Sequence, residues 1–139
     1  DQVEYFGYGP GESYVDKHQA SYKSLFVTRV DDMFENYLKP QENGAHYDTE
    51  WMRCTDRQGL GLEIVGKSFS MNAMRYTPQQ IASAEHPYEL PKTDQTVLHF
   101  DYAQSGSGSN SCGPELLPAY RLNEQQFTWE LQMQPIENP

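Results

Sequence analysis

The sequence predicts an all-β fold, an antiparallel β-sandwich with one short helix near residues 78–85. Three observations lead to this prediction. Several segments alternate apolar and polar side chains with the period of two that a half-buried strand requires. Ten glycines and nine prolines interrupt the 139 residues, which is typical of the turns between many short strands. Only one segment carries the residues that start a helix.

Six segments alternate in this way or are rich in β-branched and aromatic residues, and we predict that each is a strand. They are residues 22–30, 46–56, 60–64, 69–73, 97–102 and 126–133. The apolar residues of the last segment share one face: Phe127, Trp129, Leu131 and Met133. Residues 126–133 are therefore predicted to form a half-buried strand of an antiparallel sheet. Gly66-Lys67 lies between two of the segments and predicts a hairpin turn.

The single predicted helix begins at Pro78. Thr77 is expected to cap it, a proline suits the first helical position, and Gln80 completes a capping box. The helix is expected to end before His86-Pro87, because the residue before a proline disfavours the helical conformation. No linker divides the chain, so residues 1–139 are predicted to form a single domain.

The composition excludes several classes of function. With 20 acidic and 10 basic residues the chain has a net charge of −10, which argues against nucleic acid as a partner because phosphate binding needs clustered Lys and Arg. No apolar run of about 18 residues is present, so no membrane span is expected. Cys54 and Cys112 lie far apart and are expected to be free thiols, with a single disulfide as the alternative. Free thiols favour a reducing, cytoplasmic location, and a periplasmic or secreted parent protein is the alternative.

Three stretches rich in glycine, proline and polar residues stand out. The first stretch is G-Y-G-P-G-E-S-Y-V-D at 7–16, the second is P-Q-E-N-G at 40–44, and the third is G-S-G-S-N-S-C-G-P at 106–114. A phosphate-binding interpretation of the third stretch would need a helix after it, which Pro114 and Pro118 oppose. The alternatives are a flexible connection and a functional loop.

Candidate catalytic and binding residues are few. Glu12 and Glu42 lie in the first and second stretches, and a glycosidase needs a pair of carboxyl groups. The favoured interpretation is that each carboxylate fixes its own turn by accepting backbone hydrogen bonds. Tyr5, Tyr8 and Tyr14 surround the first stretch and could stack on a sugar ring, as in an autonomous carbohydrate-binding module, although packing in the sheet is favoured. The histidines and cysteines show no metal-ligand spacing.

These stretches, in order, resemble the C-terminal β-sandwich domain of the large family 2 β-galactosidases, which heterodimeric relatives carry on a separate small subunit. The resemblance extends over nearly the whole chain. It includes four further motifs: G-L-G-L at 59–62, F-S-M-N-A at 69–73, Y-T-P-Q-Q-I at 76–81 and A-E-H-P-Y-E-L at 84–90. It implies half of a galactose-mutarotase-like supersandwich and a parent enzyme that hydrolyses terminal β-D-galactosides such as lactose.

The resemblance also implies where the chemistry lies. In the family, two catalytic glutamates and the Mg²⁺ and Na⁺ ligands belong to a central barrel, so no catalytic residue, metal or cofactor is expected in this chain. The implied partners are the catalytic remainder of the enzyme, a galactoside substrate and further copies of the parent in a homo-oligomer.

The third stretch matches a loop that reaches the active-site mouth in the family. Asn110, Ser111 and Cys112 are therefore implied to face the aglycone side of the substrate. The position of Cys112 is commonly Trp in the family, and a thiol offers less stacking area than an indole, so weaker aglycone stacking is expected.

Two departures from the family pattern concern arginine. Lys39 stands before the second stretch where the family often has Arg, and Tyr5-Phe6-Gly7-Tyr8-Gly9-Pro10 replaces W-x-G-R-G-P. A lysine lacks the bidentate geometry of a guanidinium. Salt bridges implied by those arginines are therefore not expected here.

Overall fold

A computed structural model describes residues 1–110 and 113–137. In chain order the elements are β1 (Gln2–Gly9), β2 (Tyr22–Arg29), β3 (His46–Thr55), β4 (Gly61–Met74), α1 (Pro78–Ser83), β5 (Val97–Asp101) and β6 (Leu131–Ile136). One-turn 3-10 helices lie at Val30–Asp32, Pro87–Glu89 and Pro118–Tyr120. The predicted all-β class with one short helix is confirmed. None of the helices in the described ranges is long and apolar enough to cross a membrane.

The six strands form one open antiparallel sheet. The order is β2-β1-β3-β4-β5, and β6 also pairs with β4. Strand β4 is long enough to hold both neighbours, because Gly61–Gly66 pairs with β6 and Ser70–Met74 pairs with β5. One open sheet of this kind is consistent with a fragment of a β-sandwich, whose layers are packed sheets.

The core lies on one face of this sheet. Tyr5 of β1 pairs with Met52 of β3, and Met52 pairs with Ile64 of β4, so these three side chains lie side by side and are fully buried. Phe100 and Leu131 pack against the same cluster from the outer strands. Burial of each large apolar side chain contributes roughly 1.5–3 kcal/mol, so this face holds the sheet together.

The short helix closes a second, smaller cluster and follows the sequence prediction. Gln80 donates its backbone N–H to Thr77 Oγ1 at 3.2 Å, and Thr77 donates its own N–H to Gln80 Oε1 at 2.7 Å. The predicted capping box is thus present. Ile81 of the helix is buried against Met74 and Leu90.

The hairpin predicted at Gly66-Lys67 is wrong, because these residues lie within the uninterrupted strand β4. The turn lies instead between β3 and β4, where Asp56 Oδ1 accepts hydrogen bonds from the backbone N–H groups of Gln58 and Leu60 at 2.7 and 3.0 Å. Gly59 adopts φ +82° there, a conformation that favours glycine. The carboxylate and this glycine together make the reversal.

The C-terminal strand also differs from its prediction. It begins at Leu131 rather than residue 126. On its apolar face, which a half-buried strand would bury, Phe127 and Met133 are 57% and 59% exposed. Phe127 stacks on Tyr102 outside the core, with ring centroids 4.2 Å apart. Strand β6 contains Pro135, which an edge strand tolerates because one side of it has no partner.

Candidate functional site

The third stretch follows β5 in the chain. A hydrogen bond joins its two described parts, residues 106–110 and 113–114. Gly106 adopts φ +96°, which favours a residue without Cβ. Asn110 Nδ2 donates a hydrogen bond to the carbonyl oxygen of Pro114 at 2.8 Å. Ser111 and Cys112 lie outside the described residues. Their predicted aglycone role, and that of Asn110, stays a prediction.

Asp16, the last residue of the first stretch, holds this loop. Asp16 Oδ2 accepts hydrogen bonds from the Ser109 backbone N–H at 2.8 Å and from Ser109 Oγ at 2.5 Å. A Cβ at Gly108 would overlap the Asp16 carboxylate, so the approach requires glycine. The Asp16 carboxylate therefore holds Gly108 and Ser109 by close packing and by hydrogen bonding, respectively.

Glu12 connects the first stretch to the second. Its carboxylate is 7% exposed and accepts four hydrogen bonds. The donors are Lys17 Nζ at 2.5 Å, Tyr14 Oη at 3.1 Å, the Gly44 backbone N–H at 2.9 Å, and Tyr37 Oη. Glu12 therefore does not fix its own turn as predicted, because its one backbone donor is Gly44 of the second stretch and its other three donors are side chains.

The electrostatics of this carboxylate keep it ionised. Burial by itself raises the pKa of Glu12, but the hydrogen bonds from Lys17, Tyr37 and Gly44 and the charge of Lys17 more than offset it, and the net pKa is lowered. The pKa of Tyr14 is raised, first by burial and then by the neighbouring Glu12 charge. A Glu12 carboxylate that is ionised at neutral pH is suited to positioning and unsuited to donating a proton.

The tyrosines near the first stretch are packed rather than displayed. Tyr5 and Tyr14 are 0% and 2% exposed, so neither can stack on a sugar, and that part of the binding-module interpretation is wrong. Tyr5 points into the sheet core because β1 alternates its side chains between the two faces. Tyr8, on the other face, packs against His18 and Tyr47.

Glu42 and His99 face each other at the middle of β5. His99 Nδ1 lies 3.6 Å from Glu42 Oε1. The contact with Glu42 raises the pKa of His99, and burial raises the pKa of the nearby Asp101. Glu42 Oε1 is buried and has no hydrogen-bond partner among the residues that the structure describes, so this oxygen does not accept the backbone hydrogen bond that was predicted for Glu42. Within residues 1–110 and 113–137, no group of three or more His, Cys, Asp or Glu residues is arranged to hold a metal.

A cleft of about 350 Å³ opens at the base of the third stretch. Its walls include Tyr102 and Gln104, where the chain leaves β5, and Arg121, where it returns. Tyr47 and Asp48 of β3 also line it. The cleft therefore lies between the sheet and the segments that precede and follow the third stretch in the chain.

A second surface runs across the sheet on the face opposite the core. Leu25, Phe6, Trp51 and Val65 are aligned by the strand register from β2 to β4, and we call this set the outer apolar row. Leu25 is 52% exposed and Val65 is 39% exposed. Side chains aligned across strands form one continuous surface, so the row is an apolar strip on the outside of the domain.

A family model described as the beta galactosidase small chain matches residues 1–133. The chain belongs to this family. It is 43% identical over 90% of its length to a beta-galactosidase of Actinobacillus pleuropneumoniae and 41% identical over 96% to one of Staphylococcus xylosus. A beta-galactosidase of Arthrobacter sp. (strain B7) is 32% identical over 96% of the chain. The chain spans only 12 to 14% of the length of these three relatives.

The family resemblance deduced from the three stretches is thereby confirmed. Sequence reasoning singled out Glu12 but missed Asp16, Lys17 and Tyr37. The position of Asp16 at the end of the first stretch was the one available signal. Its partner Ser109 is 93 residues away, so no local pattern connects the two.

Proposed function

We propose that this beta-galactosidase small-chain domain is a non-catalytic part of an enzyme that hydrolyses terminal β-D-galactosides such as lactose. The observation that carries the proposal is the family match over residues 1–133 in a chain that spans about an eighth of its relatives. The state of Glu12 supports the absence of catalysis here, because its carboxylate is saturated with donors. A retaining mechanism would use two carboxylates in the rest of the enzyme.

The rest of the enzyme is the partner we propose for the outer apolar row. The relatives are far longer than this chain, so a large polypeptide is available to cover the strip. Lys23 and Arg53 reach over the rings of Phe6 and Trp51, which gives the strip charged edges. An apolar centre with a polar rim is typical of protein interfaces.

The third stretch is proposed to contribute to the substrate entrance. Asn110, Ser111 and Cys112 would contact the aglycone, the part of the galactoside that leaves. The Mg²⁺ and Na⁺ implied for the whole enzyme are assigned to its remaining part, because the described residues of this chain offer no cluster of ligands that fits them. Assembly of the parent into a homo-oligomer in the cytoplasm belongs to the same proposal.

Complementation tests the proposal. The chain alone, the remaining polypeptide alone and the two co-expressed would be assayed on o-nitrophenyl β-D-galactoside. We expect turnover only when both parts are present, because the catalytic residues and the loop proposed for the substrate entrance are on different polypeptides. Turnover by the chain alone, or full activity of the remainder without it, would contradict the proposal.

Cys112→Trp in the full-length enzyme tests the loop separately. An indole at this position adds stacking area, so the KM for lactose is expected to fall severalfold with kcat changed less. Cys54→Trp is not a usable control because Cys54 packs against the core. Leu38→Trp is suitable because Leu38 is 95% exposed. Identical kinetics for Cys112→Trp and wild type would contradict the proposed contact between this loop and the aglycone.

A further inference from the structure

The loop that carries the proposed substrate contacts is attached to the body of the domain through Asp16. Both hydrogen bonds from Ser109, at 2.8 and 2.5 Å, end on the same carboxylate oxygen. The missing Cβ of Gly108 allows that carboxylate to lie against the loop backbone. Ser109 is the residue before Asn110, so the attachment lies directly beside the proposed contact residues.

Asp16 is itself held in a rigid turn. Tyr14 and Lys17 exchange two backbone hydrogen bonds, at 2.9 and 3.0 Å, and Asp16 lies at the turn between them. The side chains of Tyr14 and Lys17 both bond to the buried Glu12 carboxylate. The turn is therefore clamped from the backbone and from the side chains, and the Asp16 carboxylate has little freedom to move.

The first, second and third stretches are thus connected to one another by hydrogen bonds. Gly44 of the second stretch donates to Glu12 of the first at 2.9 Å, and Asp16 of the first accepts from Ser109 of the third. The first stretch lies between the other two. The connection runs from the body of the sheet to the loop through hydrogen bonds to carboxylates, which are stronger than those between neutral groups.

We propose that Asp16 is a positioning residue that sets the aglycone specificity of the enzyme by holding Ser109, and with it the neighbouring Asn110, in place. This inference rests on the proposed function. The proposal assigns Asp16 no contact with the substrate or with the reacting atoms. Its effect passes through Ser109 to Asn110, and it should be largest for substrates with a bulky aglycone.

The size of the effect follows from the population of the anchored loop. Loss of two hydrogen bonds to a carboxylate allows the loop to leave the anchored state, and the apparent affinity falls by the fraction that remains anchored. If about a tenth remains anchored in Asp16→Ala, the KM for lactose rises about tenfold. Methyl β-D-galactoside has almost no aglycone, so its KM should change less than twofold on the same reasoning.

The experiment uses the full-length enzyme with Asp16→Ala, Asp16→Asn and Ser109→Ala. Asp16→Asn retains one acceptor oxygen and should restore most of the wild-type KM for lactose. Ser109→Ala removes only the hydroxyl bond and should give an intermediate KM. Asp56→Ala is the matched control, because Asp56 also accepts two hydrogen bonds in an exposed turn but lies at the β3–β4 reversal.

The outcomes separate this inference from the proposed function. An equal KM increase for lactose and methyl galactoside, or no increase with either substrate, would overturn the role of Asp16. If Cys112→Trp changes the KM for lactose while Asp16→Ala does not, the inference fails and the proposed function stands. If neither variant changes the kinetics and the remainder is active without this chain, both fail. If Asp16→Ala does not fold, Asp16→Asn and Ser109→Ala are compared instead. A higher KM for lactose in Ser109→Ala than in Asp16→Asn supports the role of Asp16, and equal KM values overturn it.

Discussion

Glu12 accepts a hydrogen bond from the Gly44 backbone N–H at 2.9 Å, and this bond joins two turns that lie 32 residues apart in the chain. The same carboxylate binds Lys17 and Tyr14, which flank the turn that carries Asp16. A single buried carboxylate therefore organises the end of the sheet from which the third stretch is held.

Replacement of Glu12 should cost more stability than replacement of an exposed acid. Glu12→Gln keeps one acceptor for Gly44 but turns an amide N–H₂ toward Lys17 and Tyr37, which are donors. We expect a loss of about 2 kcal/mol in the free energy of unfolding, because donors are left without an acceptor in a partly buried site. Urea denaturation of the chain measures this. Glu115→Gln, whose side chain is 83% exposed, is the control and should leave the midpoint unchanged.

The pH dependence of this effect has a defined sign. The pKa of Glu12 is lowered in the folded protein, so the unfolded chain binds the proton more readily. The stabilisation is present above the unfolded pKa of about 4.5 and is lost as the pH falls through the folded value. The stability difference between wild type and Glu12→Gln should therefore shrink in acid. A difference that stayed constant from pH 7 to pH 3 would contradict this.

Gly44 should tolerate no side chain. It adopts φ +71°, and an added Cβ would overlap the carbonyl oxygen of Met33. Gly44→Ala is expected to destabilise the domain by more than about 2 kcal/mol, since backbone strain and a steric clash act together. Gly11→Ala is the matched control from the first stretch, because nothing lies within 4 Å of its Cβ position. Thermal unfolding of the two variants checks the prediction, and equal midpoints would refute it.

His46 should make the domain sensitive to acid. Its Nδ1 lies 3.0 Å from the Tyr8 carbonyl oxygen, which can only accept, so Nδ1 carries the proton and donates it. Tyr5 Oη lies 2.9 Å from the same nitrogen and packs over the ring. Burial lowers the pKa of His46 from 6.5 to about 4, because the cationic form would be desolvated.

The sign again follows from proton binding. The unfolded chain takes up a proton at His46 near pH 6.5 while the folded chain does so near pH 4, so stability falls as the pH is lowered between these values. The expected loss is on the order of 3 kcal/mol. His46→Gln should flatten the curve in this range, whereas His86→Gln, at an exposed site, should not. An unchanged curve for His46→Gln would exclude His46 as the acid-sensitive group.

The sequence predicts what is encoded locally. The helix at Pro78–Ser83 was predicted correctly because Thr77 and Gln80, three residues apart, contain all of its start signal. The hairpin at Gly66-Lys67 was predicted wrongly. One long strand such as β4 and two strands joined by a hairpin show the same alternation of apolar and polar side chains, and they differ only in the strands with which they pair. Those partners are β6 and β5, which lie far along the chain. Sheet register is decided by packing across the fold rather than by neighbouring residues.

The candidate site shows the same division. Glycine, proline and polar residues marked the three stretches as turns or loops, since such residues occupy turns. The bond between Asp16 and Ser109 depends on two loops meeting in space, which the residues near Asp16 do not encode. No strand was predicted at Gln2–Gly9, where Gly7 lies at a point at which a Cβ would overlap Thr49 of β3. Close approach of strands explains that glycine.

The outer apolar row should matter only when the rest of the enzyme is present. Leu25→Glu places a charge in the strip without touching the core, so the chain alone should keep its thermal midpoint. Complementation with the remaining polypeptide should weaken by about tenfold or more, because an unpaired charge buried at an interface is costly. Leu38→Glu is the control, since Leu38 is an exposed leucine outside the row. Titration of activity against chain concentration measures the difference, and equal titrations for the two variants would show that the row does not contact the remainder.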